Sequence, residues 1–427
     1  MAVTPVYLDN AATTAQSRQV CDVMNAVALG QYANPSSIHG MGLEAERVVN
    51  KARAQLADAL GADPKNIFFT SGGTEANNLA ILGLCKRGPR GGANRIVTSA
   101  LEHPSVLNPI KELARTGWEI VYVPAGRERG TGRERGTSGG GVKIGRTAGG
   151  IAGGGVDLEA LEAALDERVG FISLMHVNNE TGAVTPIDKI ARIRDRKCPD
   201  APIHTDCVQS FGKLPTGTLS AGLSGADIVS VSGHKIHGPK GVGALYISNR
   251  ARISPLYFGG GQEGGIRPGT ENTPALAGFG AAAREASAAL RENAAYVQAL
   301  KQALLDGLSA SGIEYVTIPD HTGKAAAPAP GADAAVSPYI LMVSFPGKPA
   351  ELMLNFLSSE GVYVSAGSAC SSKRAVKTGS AVLTALGYKP AVIEGALRFS
   401  FSRYNTAAEI NAALEKITYA AGSITKI

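Results

Sequence analysis

The sequence predicts an α/β protein: a mostly parallel central sheet flanked by helices, with a smaller α+β domain toward the C-terminal end. Three observations predict it. Short apolar runs alternate with longer helix-like stretches, the rhythm of strand, crossover helix and parallel strand. After Pro274 that rhythm gives way to an Ala/Leu-rich helical stretch and then to scattered strands. The length, 427 residues with 44% apolar and 18% charged residues, suffices for two domains with their own cores.

Taken in order, strands are expected at 67–70, 95–98, 119–123, 171–174, 203–206, 228–231 and 243–247, each short, apolar and rich in β-branched or aromatic residues. Helices are expected between several of them, as at 74–84 and 104–116. Residues 275–312 read as one long helical stretch. Strands then recur at 339–344, 361–364 and 396–402, and a terminal helix covers 407–421. The division this predicts is a large domain over 15–275 and a small one formed by 1–14 with 276–427. In sheets of this kind ligands gather at the carboxyl ends of the strands.

Two segments interrupt the pattern. Residues 125–155 contain a doubled hexapeptide, Gly126-Arg-Glu-Arg-Gly-Thr131 and Gly132-Arg-Glu-Arg-Gly-Thr137, and almost no apolar residues. A unit used twice does not make a solenoid, so the segment reads as a mobile surface insertion, with a polyanion-binding arm as the alternative. Residues 321–337, rich in Ala, Pro and Gly, read as a loop.

The net charge is +6, and residues 125–155 hold six basic and two acidic side chains, or +4 of it. The remainder is nearly neutral, which argues against a nucleic-acid-binding body. No apolar run approaches the length of a membrane span, and the first residues lack the pattern of a secretory signal. Five irregularly spaced cysteines, Cys21, Cys85, Cys198, Cys207 and Cys370, suit a reducing compartment. The expectation is a soluble cytoplasmic protein.

Three stretches carry chemistry. In Ile67–Asn78 a strand meets a Gly pair and a helix start. Glycines admit a ligand close to the backbone, and the first helical N–H groups face it. Thr74 adds a hydroxyl. This is a phosphate cradle, or else a capped helix after a turn; it matches neither a Walker loop nor a dinucleotide fingerprint. In Asp227–Gly241 a strand runs into a turn holding Ser232, His234 and Lys235. A partly desolvated lysine there has a freed amine suited to a covalent bond with a carbonyl group. In Ile203–Ser210, Asp206 ends an apolar strand, either facing the ligand crevice or capping a helix, and Gln209 follows. His204, Cys207, His234 and His237 match no metal-ligand spacing, so no metal is expected.

The chain resembles the class V, fold-type I pyridoxal-phosphate enzymes, and within them the NifS/IscS-like cysteine desulfurases. The residues that carry the resemblance are Tyr7–Thr14, Asn34–Ser37, Thr70–Asn78, Leu101–Val106, Met175–Gly182, His204–Ser210, Ser232–Gly243, Gly259–Glu263 with Arg267–Thr270, Ser365–Ser371 and Leu397–Ser400. These blocks stand in the family's order and span nearly the whole chain outside the two interruptions. Pro268 and the insertion at 125–155 depart from the pattern.

The resemblance implies a fold-type I transferase with pyridoxal 5′-phosphate as cofactor, bound covalently by Lys235. Asp206 pairs with the pyridine nitrogen, and an anion there favours the protonated ring, the electron sink for carbanions. His103 stacks on the ring and, with Lys235, moves protons. Asn179 and Gln209 reach the phenolic oxygen. Gly73, Thr74, Ser232, Gly233 and His234 bind the phosphate side. Thr270 reaches the phosphate of a second subunit, which implies a homodimer. Arg398 forks onto the substrate carboxylate; strand alternation sets it opposite Leu397 and Phe399, and Arg403 is the weaker candidate. Cys370, on a loop of small residues near Lys373 and Arg374 that favour the thiolate, takes the sulfur of L-cysteine as a persulfide and leaves alanine. Cys207 is a packing residue. A protein acceptor such as an iron–sulfur scaffold is implied. The alternatives are a class V aminotransferase, which needs no Cys370, a selenocysteine lyase, or a non-catalytic scaffold of the same fold.

Overall fold

Seven strands form the main sheet in the computed structural model, which describes residues 5–86, 88–89, 92–126, 155–319, 336–367 and 379–424. Cys370, Lys373 and Arg374 lie outside the described residues, as do all but the ends of the insertion and of the loop expected at 321–337.

The chain opens with β1 (Val6–Tyr7), α1 (Arg18–Gly30) and α2 (Gly40–Leu60). The sheet strands and their helices follow: β2 (Ile67–Thr70), α3 (Gly73–Cys85), β3 (Arg95–Ser99), α4 (Pro104–Ala114), β4 (Glu119–Val123), α5 (Leu158–Ala164), β5 (Val169–Ser173), α6 (Ile187–Lys197), β6 (Ile203–Asp206), β7 (Ile228–Ser232) and β8 (Gly243–Ile247). Their order across the sheet is β2-β8-β7-β6-β5-β3-β4. Only β8 runs opposite to the other six strands. The seven expected strands are all present, and β6 and β7 are buried along their length, as a sheet covered on both faces requires.

The helical stretch expected at 275–312 is two helices, α7 (Thr273–Ala288) and α8 (Leu290–Ala310). Ala289 breaks it, with φ −126° and ψ 35°, although no Gly or Pro marks the place. The break separates two cores. Ala275, Leu276, Phe279 and Ala281–Ala283 of α7 pack with the main sheet. Val297, Leu300, Leu304 and Leu308 of α8 pack with a second core. That second core is framed by β10 (Ile340–Ser344), α9 (Ala350–Ser359), β11 (Val362–Tyr363), β12 (Ala396–Ser400) and α12 (Ala407–Ser423), and β9 (Val316–Ile318) with the short α10 (Ala381–Ala385) and α11 (Pro390–Glu394) packs into a smaller cluster beside it. β12, β10 and β9 form an antiparallel sheet.

The first residues of the chain belong with this second core. Val6 and Tyr7 pair with Val362 and Tyr363. Leu8 and Ala11 are buried beside Leu397 and Phe399. Asn10 Nδ2 donates to the Ser400 carbonyl at 2.9 Å. At the insertion, Ala125 bridges Val156 and Gly126 N–H donates to Gly155 O at 2.8 Å, so its two feet stand side by side.

Candidate active site

Loops leaving the carboxyl ends of the parallel strands converge on one crevice, where such sheets bind ligands. β6 ends in Asp206, which is 7% exposed. Its carboxylate accepts the Val208 N–H at 2.9 Å and Asn77 Nδ2, from α3, at 2.8 Å. Asn77 Nδ2 also reaches Ser105 Oγ at 2.9 Å, and Ser105 Oγ bonds His103 Nδ1 at 2.7 Å. His103 is thereby fixed at the start of α4, and its Nδ1 also accepts the Ser105 N–H. Burial holds the His103 imidazole below its ordinary value; Asp206 opposes this and Lys235 reinforces it. The three groups sense one another's charge.

β7 ends in Ser232, and one tight turn, Gly233–Lys235, follows. Gly233 sits in a crowded place: a Cβ there would lie 3.0 Å from Pro239 O and from Val242. Lys235 Nζ donates to the carbonyls of Ala11 and, at 2.8 Å, Ala12. His234 Nδ1 lies 3.1 Å from Thr13 Oγ1, and burial first, then the neighbouring lysines, push its imidazole down to about 4. It is neutral at pH 7, a hydrogen-bonding group rather than a cation.

The cradle lies beside this turn. Gly72 precedes α3 with φ +154°, and no side chain caps the helix. A Cβ on Gly73 would fall 2.7 Å from Val208 and 3.7 Å from Ser232 Cβ. Ser232 Oγ is buried and has no hydrogen-bond partner among the described residues. A buried hydroxyl left unsatisfied carries a desolvation cost, and here it adjoins uncapped helix N–H groups, which favour an anion. Ser232, Gly73 and the first turn of α3 therefore fit a phosphate, and Asp206 and Lys235 fit the two ends of a protonated pyridine aldehyde. The residues present suit pyridoxal phosphate.

The opposite wall comes from the second core. Arg398 on β12 is 1% exposed. Its guanidinium donates to Asp9 Oδ1 and to the Asn179 carbonyl, both at 2.8 Å, and Nε has no partner. Leu397 and Phe399 face the core, as alternation predicts. Asp9 was no candidate in the sequence, although it stands in one of the resembling blocks. Gln209 is buried, with Nε2 donating to Ala11 O at 2.9 Å. Asn179 enters through its main chain. Thr74 and Thr270 are exposed. Arg403 pairs with Glu285, at 2.7 Å.

Glu102 also escaped the sequence reading. It is buried beneath His103 and accepts from Ser99 Oγ at 2.7 Å and Met175 N–H at 2.8 Å. Burial foremost, with Asp206 adding, pushes it up to about 8, so it is mainly protonated at neutral pH. Cys207 is fully buried in the main core, its thiol pushed up to about 12 by burial. His204 sits within the sheet between Ser173 and Ser230. Among the described residues no cluster of His, Cys, Asp or Glu could hold a metal, and no helix is long and apolar enough to cross a membrane.

The model of the aminotransferase class-V family matches residues 6–132 and 141–413. A cysteine desulfurase of Sinorhizobium fredii is 37% identical over 416 residues, 97% of this chain and 95% of that protein. A putative cysteine desulfurase, IscS 1, of Bacillus subtilis is 34% identical over 96% of this chain and 97% of its own length. Among solved structures, a NifS-like protein superimposes with a TM-score of 0.81 at 34% identity, covering 97% of this chain and 99% of that one. DndA of Streptomyces lividans does so at 0.69 and 32%, covering 93% and 99%.

Proposed function

The chain belongs to the aminotransferase class-V family, and from that premise we propose that it is a pyridoxal-phosphate-dependent cysteine desulfurase that turns L-cysteine into L-alanine. One observation carries the cofactor reading: the unpartnered Ser232 hydroxyl at the uncapped start of α3, three residues before a lysine held by main-chain carbonyls.

Ser232, Gly73, Thr74, Gly233 and His234 hold the phosphate. Asp206 keeps a proton on the pyridine nitrogen, and Asn77 and the Val208 N–H keep that carboxylate in place. Gln209 and Asn179 serve the phenolic oxygen. When bound, pyridoxal phosphate supplies an electron sink beside the substrate's α-carbon. Lys235 would hold it covalently and then move protons at the substrate's α-carbon, with His103 assisting. Arg398 binds the substrate carboxylate, oriented by Asp9 and the Asn179 carbonyl.

The sulfur leaves through Cys370. Its thiolate attacks the substrate sulfur; the carbon–sulfur bond breaks, a sulfur–sulfur bond forms, and the carbon takes up a proton. Cysteine and one thiol thus become alanine and one persulfide, with no outside oxidant. The persulfide passes to a protein acceptor, such as an iron–sulfur scaffold, in the cytoplasm. The enzyme works as a homodimer in which Thr270 serves the partner's phosphate site; Phe258, 83% exposed near it, suits an interface.

The test is to incubate the purified protein with L-cysteine and a thiol reductant and to assay alanine and sulfide together. Equal amounts support the reading. Cys370→Ser should still change the cofactor's spectrum on adding L-cysteine yet form no persulfide. Undiminished alanine release from that variant overturns the desulfurase mechanism in favour of a transaminase or lyase.

A further inference from the structure

Lys213 takes no part in the mechanism above, yet it is buried in the same crevice, 6% exposed. It lies one turn beyond Gln209. Its Nζ donates to Gln209 Oε1 at 3.2 Å and stands 5.8 Å from the centre of the Tyr339 ring. Gln209 Nε2 in turn donates to the Ala11 carbonyl, which also accepts Lys235 Nζ. A single hydrogen-bonded chain thus runs Lys213, Gln209, Ala11, Lys235. An ammonium only donates and an amide has one oxygen, so Lys213 fixes the Gln209 amide with its nitrogen toward Ala11 and Lys235.

A cavity of about 20 Å³ lies between the two lysines, lined also by His237, Tyr339, Ser402 and Arg403. The charged and titratable groups facing Lys213 come from several elements. Lys235, His234 and His237 follow β7, and Arg398 and Arg403 lie on and just after β12. Asp9 stands nearby but is engaged by Arg398. Burial foremost, then Lys235 and Arg398, push the Lys213 amine down to about 7. Lys301, the other deeply buried lysine, differs in kind. It donates to two main-chain carbonyls, Ser337 at 3.0 Å and Ile340 at 2.9 Å, within the second core. That arrangement ties backbone together. The Lys213 acceptor is a side chain of the site.

We propose that Lys213 is a positioning residue for the reaction: it orients the Gln209 amide and places a second ammonium behind Lys235. The inference rests on the cofactor reading above. A cation close to a titrating nitrogen disfavours its protonated form. Where it is charged, at and below about pH 7, Lys213 therefore disfavours protonation of the bound cofactor's titrating nitrogen and lowers the pH at which its visible absorbance titrates, and through Gln209 it strengthens cofactor binding.

The experiment reconstitutes apoprotein with pyridoxal 5′-phosphate and follows visible absorbance from about pH 6 to 10, together with cofactor affinity. Lys213→Met should titrate about one pH unit higher than wild type and bind the cofactor about tenfold more weakly. Lys213→Arg, charged across the whole range, should titrate at or below the wild-type midpoint. Lys213→Gln keeps a donor for Gln209 without charge, so its affinity should hold while its midpoint rises. A methionine variant with wild-type midpoint and affinity overturns the inference. Should that variant not fold, an unmoved midpoint in the glutamine variant does the same. A wild type that binds no pyridoxal phosphate sinks the cofactor reading itself and the role of Lys213 with it.

Discussion

The two walls of the crevice are built in different ways. On the sheet wall, Asp206, Ser232 and Lys235 sit within 30 positions of one another, at the ends of adjacent buried strands. Rigid neighbours place them. On the other wall, Asp9 meets Arg398 and Asn10 meets Ser400, pairs separated by about 390 positions. That wall exists only when both ends of the chain come together. In the proposed function, chemistry is concentrated on the rigid wall, and substrate grip on the wall that long-range contacts assemble.

Four experiments bear on this contrast. Lys235→Ala strikes the rigid wall and should lower alanine release by about 10⁴-fold with little change in melting temperature. A variant that keeps substantial activity would move the chemistry elsewhere. Asp9→Ala strikes the assembled wall. It leaves a nearly fully buried guanidinium without its carboxylate and should cost about 3 kcal/mol of stability, read by urea unfolding, while raising KM for L-cysteine. Unchanged stability would show that the strand pairing of residues 6 and 7, not the ion pair, closes that wall.

Glu102→Gln sharpens the contrast through pH. Glu102 is pushed up to about 8 in the folded protein from an ordinary 4.5. The folded state therefore binds more protons than the unfolded state between these values. The stability this group contributes is full below about pH 4.5 and is lost as pH rises toward 8. Glutamine removes that dependence, so between pH 5 and 8 the variant should lose less stability than wild type, by on the order of 2 kcal/mol. Parallel stability–pH curves would mean that Glu102 is ionised in place. Cys207→Ala should have the smallest effect, about 1 kcal/mol of lost packing and alanine release within about twofold. A larger loss of activity would give Cys207, rather than Cys370, a part in sulfur transfer.

The rigid wall was legible in the sequence because its residues end apolar runs, and position at a strand's end is a local property. The seven main-sheet strands were readable for the same reason. The helices α1 and α2 carry usable signals that went unread, such as the spacing of Ala45, Val49, Ala52 and Leu56 on the buried face of α2. The break at Ala289 had none, since an alanine marks no boundary and only packing against two cores imposes it. Asp9, Asn77 and Ser105 were missed because their roles lie in whom they meet, and no local pattern encodes a partner 129 or 389 positions away. Glu102 was missed because burial, not identity, makes it unusual.

The Ala11 carbonyl, shared by Gln209 and Lys235, has a consequence for how the molecule is born. Residues 6–11 leave the ribosome well before their partners in β11 and β12, which lie more than 350 positions further along the chain. Contacts of such long sequence separation form late, because the loop they close must be ordered before they repay it. During synthesis the sheet side can take shape while the opening strand waits for almost 400 further residues. The hold of Ala11 on Lys235 is thus coupled to synthesis of the second core. A nascent polypeptide halted short of Ser400 already contains Ala11 but lacks the Ser400 hydroxyl that accepts its N–H.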